Sequence, residues 1–211
     1  MDSDIIWHYY SLPQFLYLLE TNRLHFTRAD RFEDKWEILI TEKDAEYFHI
    51  PKENIAQVRE RDAKRIFINC WTIAKHELAL MWKSYSSVKD GIVIKSTVGN
   101  LKNCYSGTDT IYIAPVQYID ETTDSSQPAG AILNTLWFSV TKRNVFIQEN
   151  ELRLVYESQS DLDEYELPID YKILIQGICI APNAEPWFIG LIKKLLQKYG
   201  IDKNMVSISE L

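Results

Sequence analysis

Three charged residues recur at every second position late in the chain: Glu149, Glu151 and Arg153 alternate with Leu152, Leu154 and Tyr156. A period of two predicts a half-buried β-strand over residues 149–156, apolar on one side. The charged side chains then share the opposite face, about 7 Å apart at a strand rise of roughly 3.3–3.4 Å per residue. Carboxylates fixed on a rigid strand can stabilise positive charge that develops on a substrate. The same pattern describes a solvated sheet face with a cross-strand ion pair. The strand alone does not separate the two readings.

A second group is aromatic. Along residues 5–10, His8 and Tyr10 face one way and Trp7 and Tyr9 the other, so one set packs inward while the other is free to line a cleft. Trp71, Trp82 and Tyr85 form a further group. The plain alternative for each aromatic is core packing, and for His8 a satisfied structural histidine. A third set, Asp34, Glu37, Glu149 and Glu151 with Lys142 or Lys35, holds the residue types that a magnesium-dependent nuclease needs.

Other chemistries lack their residues. His76-Glu77 opens like a zinc-protease motif, but the position of its second histidine holds Leu80. Cys70, Cys104 and Cys179 stand singly and the four histidines are well separated, so no structural zinc site is expected. None of the seven glycines builds a dinucleotide fingerprint, a P-loop or a nucleophile elbow.

The elements that position these groups are read from periodicity and punctuation. Residues 5–10 form a strand, and Ser11 caps a helix with Pro13 in its first turn that stops near Asn22. A strand follows at residues 24–27, then a charged aromatic loop at 29–37. A helix covers residues 51–65, strands cover 66–72, 91–96 and 110–119, and a helix covers 77–85; Pro115 makes the third strand an edge or a bulge. Residues 121–130 are a loop and residues 131–140 a helix. A strand at 172–181, a helix at 185–199 ending at Gly200, and a strand at 206–209 complete the chain. Helices and strands do not alternate regularly, so the expected fold is α+β, a single domain over residues 1–211 with a mixed or mainly antiparallel sheet flanked by helices.

Composition sets the bounds. The 211 residues are 46% hydrophobic and 25% charged, values of a folded chain with a core. A formal net charge of −7 excludes a global nucleic-acid footprint. No apolar run approaches a membrane span and no leader pattern opens the chain, so a cytoplasmic protein without a membrane partner is expected. Cys70 and Cys179, in apolar strand-like runs, are expected to be reduced, buried thiols.

Several segments together resemble one family. They are Tyr10-Ser11 before a helix, residues 24–27, and Arg31-Phe32-Glu33-Asp34-Lys35-Trp36-Glu37. With them go Cys70-Trp71-Thr72, Met81-Trp82-Lys83-Ser84-Tyr85 running to Gly91-Ile92-Val93-Ile94, and the stretch from Lys142 through Glu149-Asn150-Glu151-Leu152-Arg153. The chain resembles, over most of its length, the uncharacterised bacterial family known as domain of unknown function 2971. It departs at Lys35, where that family tends to have Pro, and at Ser84, where it has His before the Tyr. The resemblance brings no established activity.

The order of elements is similar to ADP-ribosyltransferase folds. That likeness implies His8 for the NAD ribose, Tyr85 with Trp82 for the nicotinamide, and Glu151 beside Glu149 as the catalytic carboxylates. Arg28, Arg31 and Arg153 are the basic residues considered for cofactor contacts, with Arg28 or Arg31 meeting the pyrophosphate. The expected function on this reading is an NAD-consuming, ADP-ribosyltransferase-like enzyme, a toxin or phage-defence effector, with a protein or nucleic-acid acceptor. The alternative is a non-catalytic module that binds a ligand or protein through Trp71, Trp82 and Tyr85.

Overall fold

The computed structural model describes residues 1–34, 36–128, 130 and 134–211. The elements in chain order begin with β1 (Ile5–Tyr10), α1 (Leu12–Thr21), β2 (Arg23–Arg28), α2 (Glu42–Tyr47), α3 (Ile55–Ala63), β3 (Ile66–Ile73), α4 (Ala79–Tyr85), β4 (Ile92–Thr97) and α5 (Val98–Asn103). They continue with β5 (Tyr112–Pro115), β6 (Gln117–Ile119), α6 (Thr135–Ser139), β7 (Thr141–Arg143), β8 (Glu151–Glu157), β9 (Tyr165–Pro168), α7 (Tyr171–Leu174), β10 (Gly177–Ile180), α8 (Pro186–Lys198) and β11 (Val206–Ile208). The fold is α+β, with mostly antiparallel strand pairs flanked by helices.

The chain gathers into two compact units. Met1–Leu24, Trp71–Thr108 and Leu167–Leu211 form the first, His25–Cys70 and Asp109–Glu166 the second. Three of the four crossings fall inside strands β2, β3 and β9, and the fourth lies in the loop between α5 and β5.

In the first unit β10 pairs β11 in parallel and β4 antiparallel, and β4 pairs β1 antiparallel with Trp7 opposite Lys95. The far edge of β1 meets the end of β3, Trp7 opposite Thr72. The expected alternation along β1 is present. Trp7 and Tyr9 pack with Met81 and Trp82 of α4, Val93 and Cys179, while the His8 ring lies 4.3 Å from Tyr10 and 5.0 Å from Trp71. Helix α1 starts as read: the Ser11 N–H and hydroxyl both donate to Gln14 Oε1, at 2.9 and 2.7 Å. Asn22, left-handed at φ 54°, ends it. Helix α8 buries Phe188, Ile192 and Leu196. The turn before β4 needs Gly91, because a Cβ there would sit 2.2 Å from Ser86 Oγ.

In the second unit β2 and β3 pair antiparallel, Thr27 opposite Ile68, β8 pairs β3, and β5 pairs β8 with Ala114 opposite Arg153. The core here is Ile38, Ile40, Ala63, Ile66, Ile68, Phe138, Val140 and Val155. Pro115 acts as expected of a strand breaker. It ends β5, Val116 donates its N–H to the Glu151 carbonyl at 2.8 Å, and the chain resumes as β6, parallel to β7 with Tyr118 opposite Lys142.

Three expectations are corrected. The run at 172–181 is helical over α7 before it becomes β10, because Asp170 caps the Lys172 N–H at 2.8 Å and starts a helical turn. The strand expected from residue 149 starts at Glu151: residues Asn144–Glu149 form 3-10 turns, and Asn150, left-handed at φ 42°, reverses the chain between them. Cys70 is half-buried, packed against the second core, rather than fully enclosed; Cys104 and Cys179 are buried, and all three are free thiols. The helix expected at 131–140 is described from Thr135, and Lys35 and residues 131–133 lie outside the described residues. Among the described residues no helix is long and apolar enough to cross a membrane.

Candidate functional site

In the second unit β7, β8 and the loop after β2 bring five charged side chains together. Lys142 Nζ reaches Glu149 Oε2 and Glu151 Oε1 at 2.7 Å each and Glu37 Oε1 at 3.5 Å. Arg153 donates Nε–H to Glu151 Oε2 at 2.7 Å, one amino group to Glu37, and the other to the Ser139 carbonyl at 2.7 Å. All five are buried, Arg153 completely. The face that alternation marked as charged is therefore neither solvated nor open. It is an interior ion network, and both sides of β8 are covered from Glu151 to Val155.

Its electrostatics follow from burial. Removing an ion from water costs several kcal/mol, which only close partners offset. Burial raises the Glu151 carboxyl, but Arg153, Glu149 and Lys142 outweigh it and hold the group well below the carboxylate range. Burial opposes the Lys142 charge, and Glu151 with Glu37 holds the ammonium above its usual range. Burial opposes the Arg153 charge too, and the same two carboxylates hold it charged. Tyr118, whose hydroxyl oxygen accepts the Glu151 N–H at 2.9 Å, is pushed up to about 12 by burial. Among the described residues no group of three acids, histidines or cysteines is arranged to hold a metal ion.

The residues flanking this network reach the surface. Trp36, next to Glu37, is 39% exposed, and the Arg59 guanidinium lies 4.0 Å from its ring centroid. Arg143, next to Lys142, lies 5.9 Å from Trp36 and 5.4 Å from Phe146, and pairs with Asp34 at 3.1 Å. Its Nε is buried and has no hydrogen-bond partner among the described residues. Arg59 donates to the Ile38 and Ile40 carbonyls and forms no ion pair among the described residues. Two guanidiniums and an exposed indole thus share one surface, where Asp34 is the carboxylate paired with Arg143 among the described residues.

Arg28 is held by Asp30 at 2.7 Å and by Asp163 at 3.3 Å, and Arg31 reaches Asp163 at 3.5 Å. Trp71 and Trp82 are 1% exposed, and Trp82 donates Nε1–H to Glu77 at 2.6 Å, so both rings belong to packing. Tyr85 is 48% exposed. His8, Trp82 and Tyr85 belong to the first unit; Glu149, Glu151, Arg153, Arg28 and Arg31 belong to the second. Sequence reasoning passed over Trp36, Arg59, Arg143 and Phe146. The available signal was a tryptophan inside a charged loop, where burying an indole is hardest. A comparison with models of known protein families finds no match, and a comparison with curated proteins finds none either.

Proposed function

We propose that the protein is a binding module for an anionic ligand with a flat ring, of nucleotide type, taken on the Trp36 surface of the second unit. The observation that carries this is Arg143, whose buried Nε has a hydrogen to give and no acceptor among the described residues, beside an exposed indole that also carries Arg59. A guanidinium meets a phosphate through a planar fork, and a ring stacks on an indole face. The buried network beneath fixes Glu37 and Lys142, and through their chain neighbours Trp36 and Arg143. Calorimetric titration with AMP and with NAD tests this. Binding is expected in the wild type, weakened at least about ten-fold, or 1.4 kcal/mol, in Trp36→Ala and in Arg143→Met. Equal binding by both variants, or none by the wild type, overturns it.

A second reading makes the same surface an NAD-consuming transferase with a protein or nucleic-acid acceptor. Glu149 and Glu151 favour it, two carboxylates gathered on one lysine directly behind that surface. An ionised carboxylate close to the ribose would stabilise the charge that develops as nicotinamide leaves. Against it, both oxygens of Glu151 are already engaged. Nicotinamide release lost in Glu151→Gln and kept in Lys89→Ala supports this reading; release unchanged in Glu151→Gln removes Glu151 from the chemistry.

A further inference from the structure

The first unit carries a cleft of about 400 Å³, lined by Trp7, Lys75, His76, Glu77, Lys95 and Glu210 among others. Small-molecule sites span roughly 300–1,000 Å³. Two of these lining residues, Trp7 and Lys95, are direct partners on β1 and β4 and so share a face, and Gly177 of β10 follows Lys95 in the same row. Trp7 is fixed by its Nε1–H to the Ala74 carbonyl at 2.9 Å, and the Lys95 ammonium lies 5.8 Å from its ring centroid. Gly177 leaves its place in the row empty: an added Cβ would meet nothing closer than Lys95 Cβ at 3.5 Å.

The charges on the lining come in both signs. Lys75 and Lys95 join no ion pair among the described residues. Glu77 is held through Oε2 by the Trp82 indole N–H at 2.6 Å, which orients its carboxylate, and Glu210 is exposed. A dianion would meet two glutamates and a dication two lysines, whereas a ligand with one charge of each sign meets both. An indole beside an unfilled glycine position suits a flat ring.

We infer that this cleft binds a small zwitterion bearing a flat ring, an aromatic amino acid by chemical class. The carboxylate goes to Lys95 with Lys75, the ammonium to Glu210 with Glu77, and the ring to Trp7 over Gly177. The cleft shares no residue with the Trp36 surface, so neither proposal depends on the other.

The test uses three probes on the full chain by saturation-transfer NMR and calorimetry: phenylalanine, phenylpropionate without the amine, and phenethylamine without the carboxylate. Phenylalanine is expected to bind at least about ten-fold tighter than either analogue. Lys95→Met is expected to reduce phenylalanine to the level of phenethylamine while leaving phenethylamine unchanged, which a loss of folding would not do. Gly177→Val fits the backbone, since its Cβ makes only ordinary contacts, and is expected to weaken all three probes by filling the space beside Lys95. Three probes that titrate alike, a wild type that binds none, or variants that bind as the wild type does would each overturn the inference.

Discussion

Strands β1 and β8 have the same alternating signature and are both covered on two sides, yet by opposite means. On β1, Trp7 and Tyr9 pack against Met81 and Trp82, and His8 and Tyr10 against Trp71 and Phe15. Polar atoms along it are met singly, as when Tyr9 accepts the Leu78 N–H at 2.8 Å and Trp7 donates to the Ala74 carbonyl at 2.9 Å. The Tyr10 hydroxyl is buried without a hydrogen-bond partner among the described residues. On β8, Leu152 and Leu154 bury one side while Glu151 and Arg153 bury the other through Lys142 and Glu37. Packing loses stability in increments as atoms are removed. An interior ion network fails abruptly, because deleting one member strands the others without water.

The largest effect is therefore expected at Arg153. Arg153→Met keeps much of the volume but leaves Glu37 and Glu151 facing each other around Lys142, and should cost about 3–5 kcal/mol. Urea unfolding monitored by circular dichroism checks this. A cost below about 1 kcal/mol would mean that the network is closer to solvent than its burial indicates.

Acid should find the same weakness. The folded Glu151 carboxyl is held below its unfolded value of about 4.3, so its contribution is complete above that pH and is lost as pH falls toward the folded value. With one more proton bound on unfolding, stability falls by up to ~1.4 kcal/mol per pH unit below about pH 4. Lys142 runs the other way: held above its usual range, its contribution is complete below about pH 10.4 and fades only as pH rises through the folded value. Glu151→Gln should flatten the acid limb and, because Glu151 is one of the carboxylates holding Lys142 above its range, shrink the alkaline contribution as well.

How legible all this was differs between the two strands. Periodicity placed β1, α1, β4 and α8 to within two residues, because their apolar faces are long and Ser11, Pro13 and Gly200 punctuate them. It also put Glu149, Glu151 and Arg153 in one chemical group. It could not show what covers them, since Glu37 and Lys142 come from distant segments and an ion pair leaves no period in the sequence. Short elements escaped for a related reason. α2 and α5 have six residues each, and β7 has three, fewer than a pattern needs. The charged surface at Trp36 escaped because Arg59 and Arg143, 84 positions apart, meet only in the fold.

A milder probe of β1 sharpens the contrast. Tyr9→Phe removes one hydroxyl and leaves the half-buried Leu78 N–H without its acceptor, for an expected cost of about 1–2 kcal/mol. Burial pushes the Tyr9 phenol up to about 12, so this contact is insensitive to pH across the range in which the ion network responds to acid. A Tyr9→Phe variant whose acid limb differs from the wild type would break the division of labour between the two strands.

The smallest effect tests how the network is assembled. Glu149 is not on β8, yet its carboxylate shares Lys142 with Glu151, because Asn150 turns the chain between them at φ 42°. A side chain bearing Cβ pays roughly 1–2 kcal/mol in that region, less for Asn, and glycine pays almost nothing. Asn150→Gly is therefore expected to be near neutral and Asn150→Ala to cost about 1 kcal/mol, read from urea midpoints of the two variants side by side. Should both be neutral, the turn is not what gathers the second carboxylate, and the Lys142 ion pairs themselves would have to hold Glu149 against the chain.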